Sequence, residues 1–259
     1  MQPRPDAAPV VSVRDAAQRF GARIIFEHVT FDVASGEVFV ILGGSGCGKS
    51  TLMKQIIGLL PPTEGRIEVL DHDMYAARGD VLRSIGVMFQ SGALFGSMTL
   101  LENVMLPLEM YTDLPRDGRE AVAQVKLGLV GLADAAALLP VEISGGMAKR
   151  AGIARALALD PPLLFLDEPS AGLDPSTSAG LDALILGLRD ALGVTFVVVT
   201  HELQSILAIA DRCIMLDRAA RGVIAEGNPK TLREDGANPV VRAFFRREVM
   251  PSELRSAAA

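Results

Sequence analysis

Cysteine, tryptophan and long hydrophobic runs are scarce in this sequence. The 259 residues include two cysteines, Cys47 and Cys213, and no tryptophan. Two cysteines form neither a disulfide framework nor a metal-binding spacing, which favours a reduced, cytosolic compartment. The longest apolar runs, such as residues 38–42 and 163–166, fall far short of the roughly 18 residues that a membrane span needs. We therefore expect no signal peptide and no membrane anchor, so that any membrane role requires a partner.

Positive charge is also in the minority. The formal net charge is −6 and the isoelectric point is about 5.2. Nucleic-acid-binding proteins are more often basic, so we expect no nucleic-acid partner. With 49% hydrophobic residues, the chain is long enough for one large globular domain or for one domain with an inserted subdomain.

The order of apolar segments predicts an α/β protein. Residues 10–40 alternate between apolar and polar side chains, which indicates antiparallel strands. Further along, continuous apolar strands alternate with helices, which favours a mostly parallel sheet. Helical spacing dominates from about 91 to 160 and predicts a helical insertion. We therefore expect a loose N-terminus over 1–9, a main domain over 10–230 and a helical extension over 231–259, which either caps the core or contacts a partner.

The sequence GGSGCGKS, residues 43–50, lies between an apolar strand and a helix. It matches the phosphate-loop pattern, in which glycines let backbone N–H groups converge on phosphate oxygens. Lys49 supplies charge to the outer phosphates, and the Ser50 hydroxyl suits Mg²⁺. The helix N-terminus adds its positive dipole end. This context favours a nucleotide site over a simple Gly-rich turn, and the helix is expected to end at Pro61 and Pro62.

Four polar residues end predicted strands and are candidates for the chemistry. Asp167 follows the strand LLFL, where ligands bind in open α/β sheets, and can hold Mg²⁺ through water. Glu168 can polarise an attacking water. His201 can reach a γ-phosphate, and the Gln90 amide can contact Mg²⁺ or the water. The alternatives are a solvated turn for the two carboxylates, a structural histidine and a glutamine without a function.

Residues 142–150, EISGGMAKR, predict a second, weaker anion site. Ser144, Gly145 and Gly146 form a corner ahead of a helix-forming segment, so backbone donors and the helix dipole point at the corner. No Lys-Ser or Lys-Thr pair follows the glycines. The corner is therefore expected to be an incomplete site. Met147 directly after it is an unusual residue for such a position.

Together these motifs resemble the ATPase subunit of an ABC transporter over about residues 10–230. The resemblance implies an α/β P-loop fold of the ABC type, with a mostly parallel sheet, an antiparallel β part and the helical insertion. It also implies Mg-ATP hydrolysis, with Glu168 as general base, Gln90 as the Q-loop residue, His201 as the switch histidine and Asp167 as the Walker B carboxylate. The implied Mg²⁺ ligands are Ser50, Gln90 and Asp167. The Walker A residues would be Gly43, Gly44, Ser45, Gly46, Cys47, Gly48, Lys49, Ser50 and Thr51.

Other nucleotide contacts are implied by the same resemblance. The ATPases of this family meet head to tail, so Ser144, Gly145, Gly146 and Met147 would face the nucleotide of a second copy. Residues 170–174, ending in Asp174, match the D-loop. Phe20 matches the aromatic that stacks on adenine, although it could simply be packed.

Met147 in place of the family's common glutamine, and the segment VMFQSGALFGSMTLLENVMLPL at residues 87–108, are similar to the ATPases of Mla-type phospholipid transporters. The resemblance implies a homodimer at the cytoplasmic face of the inner membrane, bound to an integral membrane permease. It also implies an MCE-domain lipid-binding protein and allows for a small STAS-domain subunit. Apolar residues that would suit a permease helix, or simply belong to the insertion's core, are Leu94, Phe95, Met98, Leu100 and Leu101. Transport of a polar solute, and a non-transport role on DNA or ribosomes, are the alternatives.

Overall fold

A computed structural model describes residues 8–90, 92–235 and 238–248 of the chain. The strands, in chain order, are β1 (Val11–Phe20), β2 (Arg23–Val33), β3 (Val38–Gly43), β4 (Glu64–Val69), β5 (His72–Asp73), β6 (Ile85–Met88), β7 (Leu163–Asp167), β8 (Thr195–Val199), β9 (Arg212–Asp217) and β10 (Gly222–Gly227). The helices are α1 (Lys49–Ile56), α2 (Arg78–Ser84), α3 (Leu100–Tyr111), α4 (Arg116–Leu129), α5 (Gly145–Ala156), α6 (Pro175–Leu192), α7 (Leu203–Ile209), α8 (Pro229–Asp235) and α9 (Pro239–Arg246).

The strands of the described residues form two sheets. Strands β2-β1-β4-β5 make an antiparallel sheet in that order. Strands β10-β9-β3-β8-β7-β6 make the larger sheet, which is parallel except for the β9–β10 hairpin at its edge. The predicted fold class, a mostly parallel core with an antiparallel part, is confirmed.

The larger sheet is covered on both faces, which explains why its central strands are apolar throughout. Every residue of β3 and β8 is buried. Val38, Val40 and Leu42 face one apolar cluster, shared with α3, α4 and α5. Phe39 and Ile41 face the other cluster, shared with α1 and the antiparallel sheet. Alternate residues of one strand therefore hold two layers in place.

Helix α1 ends earlier than the prolines suggest. Its last residue is Ile56, and Gly58 follows with a φ of 71°. The Leu59 N–H donates to the Lys54 carbonyl at 2.8 Å, which closes the helix end. The prediction that Pro61 and Pro62 stop the helix is therefore wrong, because the left-handed glycine already does so.

Some helices were predicted from the sequence and others were not. Helices α3, α4 and α5 lie in the segment predicted to be helical. Helix α2 was not predicted, because it has one buried residue, Val81, and so carries little apolar periodicity. Of the C-terminal extension, α8 and α9 are described, and Val241 and Phe245 of α9 are buried against the core. Among the described residues, no helix is both long enough and apolar enough to cross a membrane.

Candidate active site

The phosphate-loop sequence forms a loop between β3 and α1. Gly43, the last residue of β3, has a φ of 148°, and a Cβ there would lie 2.7 Å from the Cys47 Sγ. Gly48 has a φ of 104°, and a Cβ there would lie 2.8 Å from the ring of Phe26. Both positions are in the region that favours glycine, and both lack room for a side chain. Glycine at positions 43 and 48 is thus required by this loop's own geometry.

The residues of the loop point in two directions. Gly44, Ser45, Gly46 and Ser50 are exposed, whereas Cys47 is buried. Burial raises the pKa of the Cys47 thiol, which keeps it neutral. Cys47 can therefore face a ligand through its backbone alone. Thr51 is half-buried in the first turn of α1.

Lys49 lies over the loop. Its Nζ donates to the carbonyl oxygens of Gly43 at 2.9 Å and of Gly44 at 3.2 Å. The ammonium group is thus held beside the exposed backbone of the loop, together with the N-terminus of α1. Positive charge and free backbone donors at one place favour a phosphate chain.

Two carboxylates lie at the carboxyl end of β7, at the same edge of the sheet as the phosphate loop: Asp167 is the last residue of the strand, and Glu168 follows it. Burial, and then the charge of Glu168, raise the pKa of Asp167, while Lys54, Lys149 and Lys49 oppose that shift. Asp167 Oδ1 is buried and has no hydrogen-bond partner among the described residues. A buried oxygen without a partner is costly, so this atom is suited to a ligand or an ion.

Glu168 is held in a strained and enclosed position. Its φ is 48°, and the residue is 8% exposed. The Glu168 N–H donates to the Val199 carbonyl at 2.8 Å, which fixes the residue against the end of β8. The Oε1 atom contacts His201 Nδ1 at 2.8 Å, and Oε2 is buried without a partner among the described residues. A non-glycine residue in this conformation is uncommon and is more frequent at functional sites.

His201 is paired with a carboxylate, which sequence reasoning missed. We expected His201 to reach a phosphate; the structure places its Nδ1 on Glu168. The two residues are 33 positions apart, but the parallel pairing of β7 and β8 brings the ends of the strands together. The imidazole remains largely exposed, so it can orient Glu168 and still face a ligand.

Gln90 lies two residues beyond the end of β6 and is exposed. Its carbonyl accepts a hydrogen bond from the Nζ of Lys149, a buried residue of α5. The same Nζ donates to the Glu168 carbonyl at 3.1 Å. Sequence reasoning missed Lys149. Its spacing from the buried Gly146, Gly152 and Ala156 would have placed it on the packed face of the helix.

The Ser144 corner is the N-terminus of α5. Ser144 Oγ accepts from the Met147 N–H at 3.2 Å, so Ser144 is the N-cap. Gly145 is exposed, and Gly146 is packed against Thr177 of α6. Met147 is half-buried and packs against the core of its own chain.

Asp174 and Phe20 have clear local surroundings. Asp174 caps α6, accepting from the N–H groups of Ser176 and Thr177 at 3.0 Å each and from Thr177 Oγ1 at 2.5 Å. These hydrogen bonds lower its pKa.

Phe20 is 52% exposed at the β1–β2 hairpin. It is therefore not a packed core residue, and the same hairpin brings Ile25 against Gly48.

Residues 26–171 match the sequence family described as ABC transporter. The chain belongs to the ABC transporter family. As a member it binds ATP and hydrolyses it, which confirms the enzyme class predicted from the motifs. The matched range contains the phosphate loop, the Ser144 corner and both carboxylates.

Individual relatives cover most of this ABC ATPase. The intermembrane phospholipid transport system ATP-binding protein MlaF of Escherichia coli is 40% identical over 92% of this chain and 89% of its own length. A probable ribonucleotide transport ATP-binding protein of Mycobacterium leprae is 40% identical over 91% of this chain and 68% of its own. A dimeric ATP-binding cassette in a post-hydrolysis state with ADP and Pi has a TM-score of 0.75 and 31% identity, covering 84% of this chain and 98% of that one.

Proposed function

We propose that this ABC ATPase couples ATP hydrolysis to phospholipid transport through a membrane permease. The catalytic part of this proposal is based on the position of Glu168. Its side chain is buried and contacts His201, and it lies at the same edge of the sheet as the phosphate loop. The lipid part is supported by the similarity to MlaF over nearly the whole length of both chains.

Within this proposal, the loop from Gly43 to Thr51 holds the phosphates of ATP. Lys49 neutralises the outer phosphates, and the exposed backbone N–H groups of Gly44, Ser45 and Gly46 donate to phosphate oxygens. The exposed ring of Phe20 stacks on the adenine.

The residues also fit Mg²⁺ as the metal that accompanies ATP. The Asp167 Oδ1 atom needs a partner, the Ser50 hydroxyl is exposed, and oxygen ligands of this kind suit Mg²⁺. With the Gln90 amide they would make up the protein's share of the site. Bound there, the ion would supply positive charge against the phosphates.

Glu168 is the proposed general base. Its Oε2 atom is free to accept a proton from the attacking water, while Oε1 is held by His201. The Glu168 backbone is fixed by β8, so the carboxylate is positioned before the nucleotide arrives.

We further propose that two copies act together. The N–H groups of Gly145 and Gly146 would face the γ-phosphate of a nucleotide held by the other copy, next to Asp174 and Met147. The similarity to a dimeric cassette bound to ADP and Pi supports action as a dimer. ATP would close the dimer, and hydrolysis would reopen it.

The permease would bind a groove of about 630 Å³ on the helical segment. Met98, Leu101 and Leu106 line it, whereas Leu100 belongs to the core and Phe95 is half exposed. Leu94 and Leu101 also pack against the core, so Leu101 would serve both roles. The permease would hold the ATPase at the cytoplasmic face of the inner membrane, in a complex with an MCE-domain lipid-binding protein and, where present, a STAS-domain subunit.

Transport of a polar solute is the second candidate. The mycobacterial relative, described as a probable ribonucleotide transporter subunit, is as similar as MlaF is. This chain covers 68% of that relative but 89% of MlaF, and we therefore prefer phospholipid as the substrate class. Purification of the native complex followed by mass spectrometry of its proteins and bound molecules separates the two. Bound phospholipid with an MCE-domain protein supports the proposal, and a complex holding ribonucleotides and no such protein contradicts it.

The catalytic assignment is tested with Glu168→Gln. This variant keeps the size of the side chain but removes the base, so we expect hydrolysis to fall by about 100-fold or more, while ATP binding survives and closed dimers accumulate. ATPase assays, nucleotide titration and size-exclusion chromatography with ATP measure the three effects. Hydrolysis at the normal rate would show that Glu168 is not the base.

The docking site is tested with Leu106→Glu, which places a charge in the groove. Met110→Glu is the matched control, because Met110 lies one turn further along α3, is 63% exposed and does not line the groove. We expect the first variant to lose the copurifying permease and the second to retain it. Equal retention by both variants would place the permease elsewhere.

A further inference from the structure

Lys149 is a buried cation between two catalytic segments. It is 7% exposed and lies in the second turn of α5. Its Nζ donates to the carbonyls of Gln90 and Glu168, residues that lie 59 and 19 positions away. Burial lowers the pKa of Lys149, whereas the charges of Glu168 and Asp167 counteract that shift. A buried ammonium is costly unless it is paired, so these contacts account for its presence there.

Helix α5 is attached to the Gln90 segment at a second point. Arg155 donates to the carbonyl of Gly92 at 2.9 Å and to that of Ala93 at 2.8 Å. Gly152 lies directly against Gly92, because a Cβ on Gly152 would be 3.3 Å from the Gly92 Cα. The helix and the Gln90 segment are therefore packed as one unit. Movement of α5 would carry Gln90 with it.

The Lys149 contact extends this unit to the proposed base. Glu168 keeps its positive φ because its backbone is held on both sides. Its N–H donates to Val199, and its carbonyl accepts from Lys149 and from the Ala171 N–H at 3.2 Å. Val199 belongs to β8, and Ala171 belongs to the turn that follows Glu168. Lys149, in contrast, belongs to α5. Lys149 thus ties the base to the helix that begins at Ser144.

We propose that Lys149 is a positioning residue for ATP hydrolysis. By donating to the backbone carbonyls of Glu168 and Gln90, it holds both residues in one geometry relative to the Ser144 corner. A nucleotide of the second copy that binds the corner would shift α5, and Lys149 would transmit that shift to this chain's own Gln90 and Glu168. This inference rests on the proposed roles of Glu168 and of the dimer.

The test compares two buried lysines in the full-length chain. Lys149→Met removes the link, whereas Lys126→Met removes a lysine that is equally buried and paired with Asp160, away from the phosphate loop. Misplacement of a reacting group by about 1 Å can cost about 100-fold in rate. We therefore expect Lys149→Met to lower kcat by about tenfold or more with KM for ATP within about twofold, and Lys126→Met to leave kcat within about twofold.

Thermal midpoints of both variants separate positioning from stability. A similar fall in both midpoints with loss of kcat only in Lys149→Met supports the proposal. Lys149→Arg, which restores donors, should recover part of the lost kcat. The proposal is overturned if Lys149→Met keeps kcat within about twofold of the original chain, or if Lys126→Met loses as much. Glu168→Gln is measured in parallel: normal hydrolysis by that variant contradicts the proposed base, whereas normal hydrolysis by Lys149→Met alone contradicts only this inference.

Discussion

Helices α1 and α5 both begin at glycine-rich corners, but their N-termini are built differently. Gly48 at the start of α1 offers no side-chain cap, and Lys49 lies beside the loop. Ser144 at the start of α5 uses its hydroxyl to accept the Met147 N–H, and its first turn contains no lysine or arginine. Free donors with a cation bind a phosphate chain. Donors partly used by the cap, with no lysine or arginine in the same turn, make a weaker site.

This difference explains how the two corners, one from each chain, would contact the same nucleotide in different ways. In the proposed arrangement, the α1 corner would hold ATP by itself, so binding would be a property of one chain. The α5 corner would gain an anion only when another chain presents one. Variants at α1 should therefore change binding and hydrolysis together, whereas variants at α5 should change hydrolysis and leave binding by the same chain intact.

The largest effect is expected from Lys49→Ala at the α1 corner. Loss of the ammonium removes a charge-assisted contact to the outer phosphates, so ATPase activity should fall by about 100-fold and ATP affinity by about tenfold. Fluorescent-nucleotide titration and a phosphate-release assay measure both. Lys230→Ala, an exposed lysine on α8, is the control and should change neither. Unchanged affinity in Lys49→Ala would contradict the binding role of the α1 corner.

An intermediate effect is expected from Gly146→Ala at the α5 corner. The added methyl group would lie 2.5 Å from Thr177 Cγ2, and Thr177 is held by Asp174. The corner must therefore shift, and kcat should fall by about tenfold while ATP affinity stays within about twofold. Gly187→Ala on α6 is the control, because a Cβ there meets no atom within 4 Å. If Gly146→Ala weakens ATP affinity as strongly as Lys49→Ala does, the two corners do not differ as proposed.

The smallest effect is expected from Met147→Gln. A thioether is a weak acceptor, and Met147 packs against its own chain's core, so hydrolysis should not depend on it. We expect ATPase activity within about twofold of the original, with a small loss of stability. Steady-state assays and thermal unfolding measure these quantities. A large loss of activity at unchanged stability would mean that the methionine does more than fill space.

Local sequence patterns predicted much of this molecule. The phosphate loop, the strand before Asp167 and the helix after Ser144 were all expected, because glycine spacing and continuous apolar runs restrict the backbone strongly. The end of α1 was misplaced, since the left-handed Gly58 acts before Pro61 does. Helix α2 was missed because short helices with one buried residue carry little pattern.

Contacts between distant segments were not predictable in the same way. The pairing of His201 with Glu168 depends on the register of β7 and β8, and the contacts of Lys149 depend on how α5 packs against β6 and β7. A lysine in a helix looks like a surface residue until the packing buries it. The exposure of Phe20 and Phe95 and the burial of Leu100 likewise depended on the packing.

The sequence by itself determined the phosphate loop, the order of the functional motifs along the chain and the family, because these depend on residue type at fixed local spacing. The tertiary structure decided which side chains meet. It brought His201 against the Glu168 carboxylate and Lys149 against the Glu168 carbonyl, beside Asp167 at the edge of the sheet. The physical reason is that parallel strands gather their carboxyl ends at one place, and which atoms touch there depends on register and helix packing.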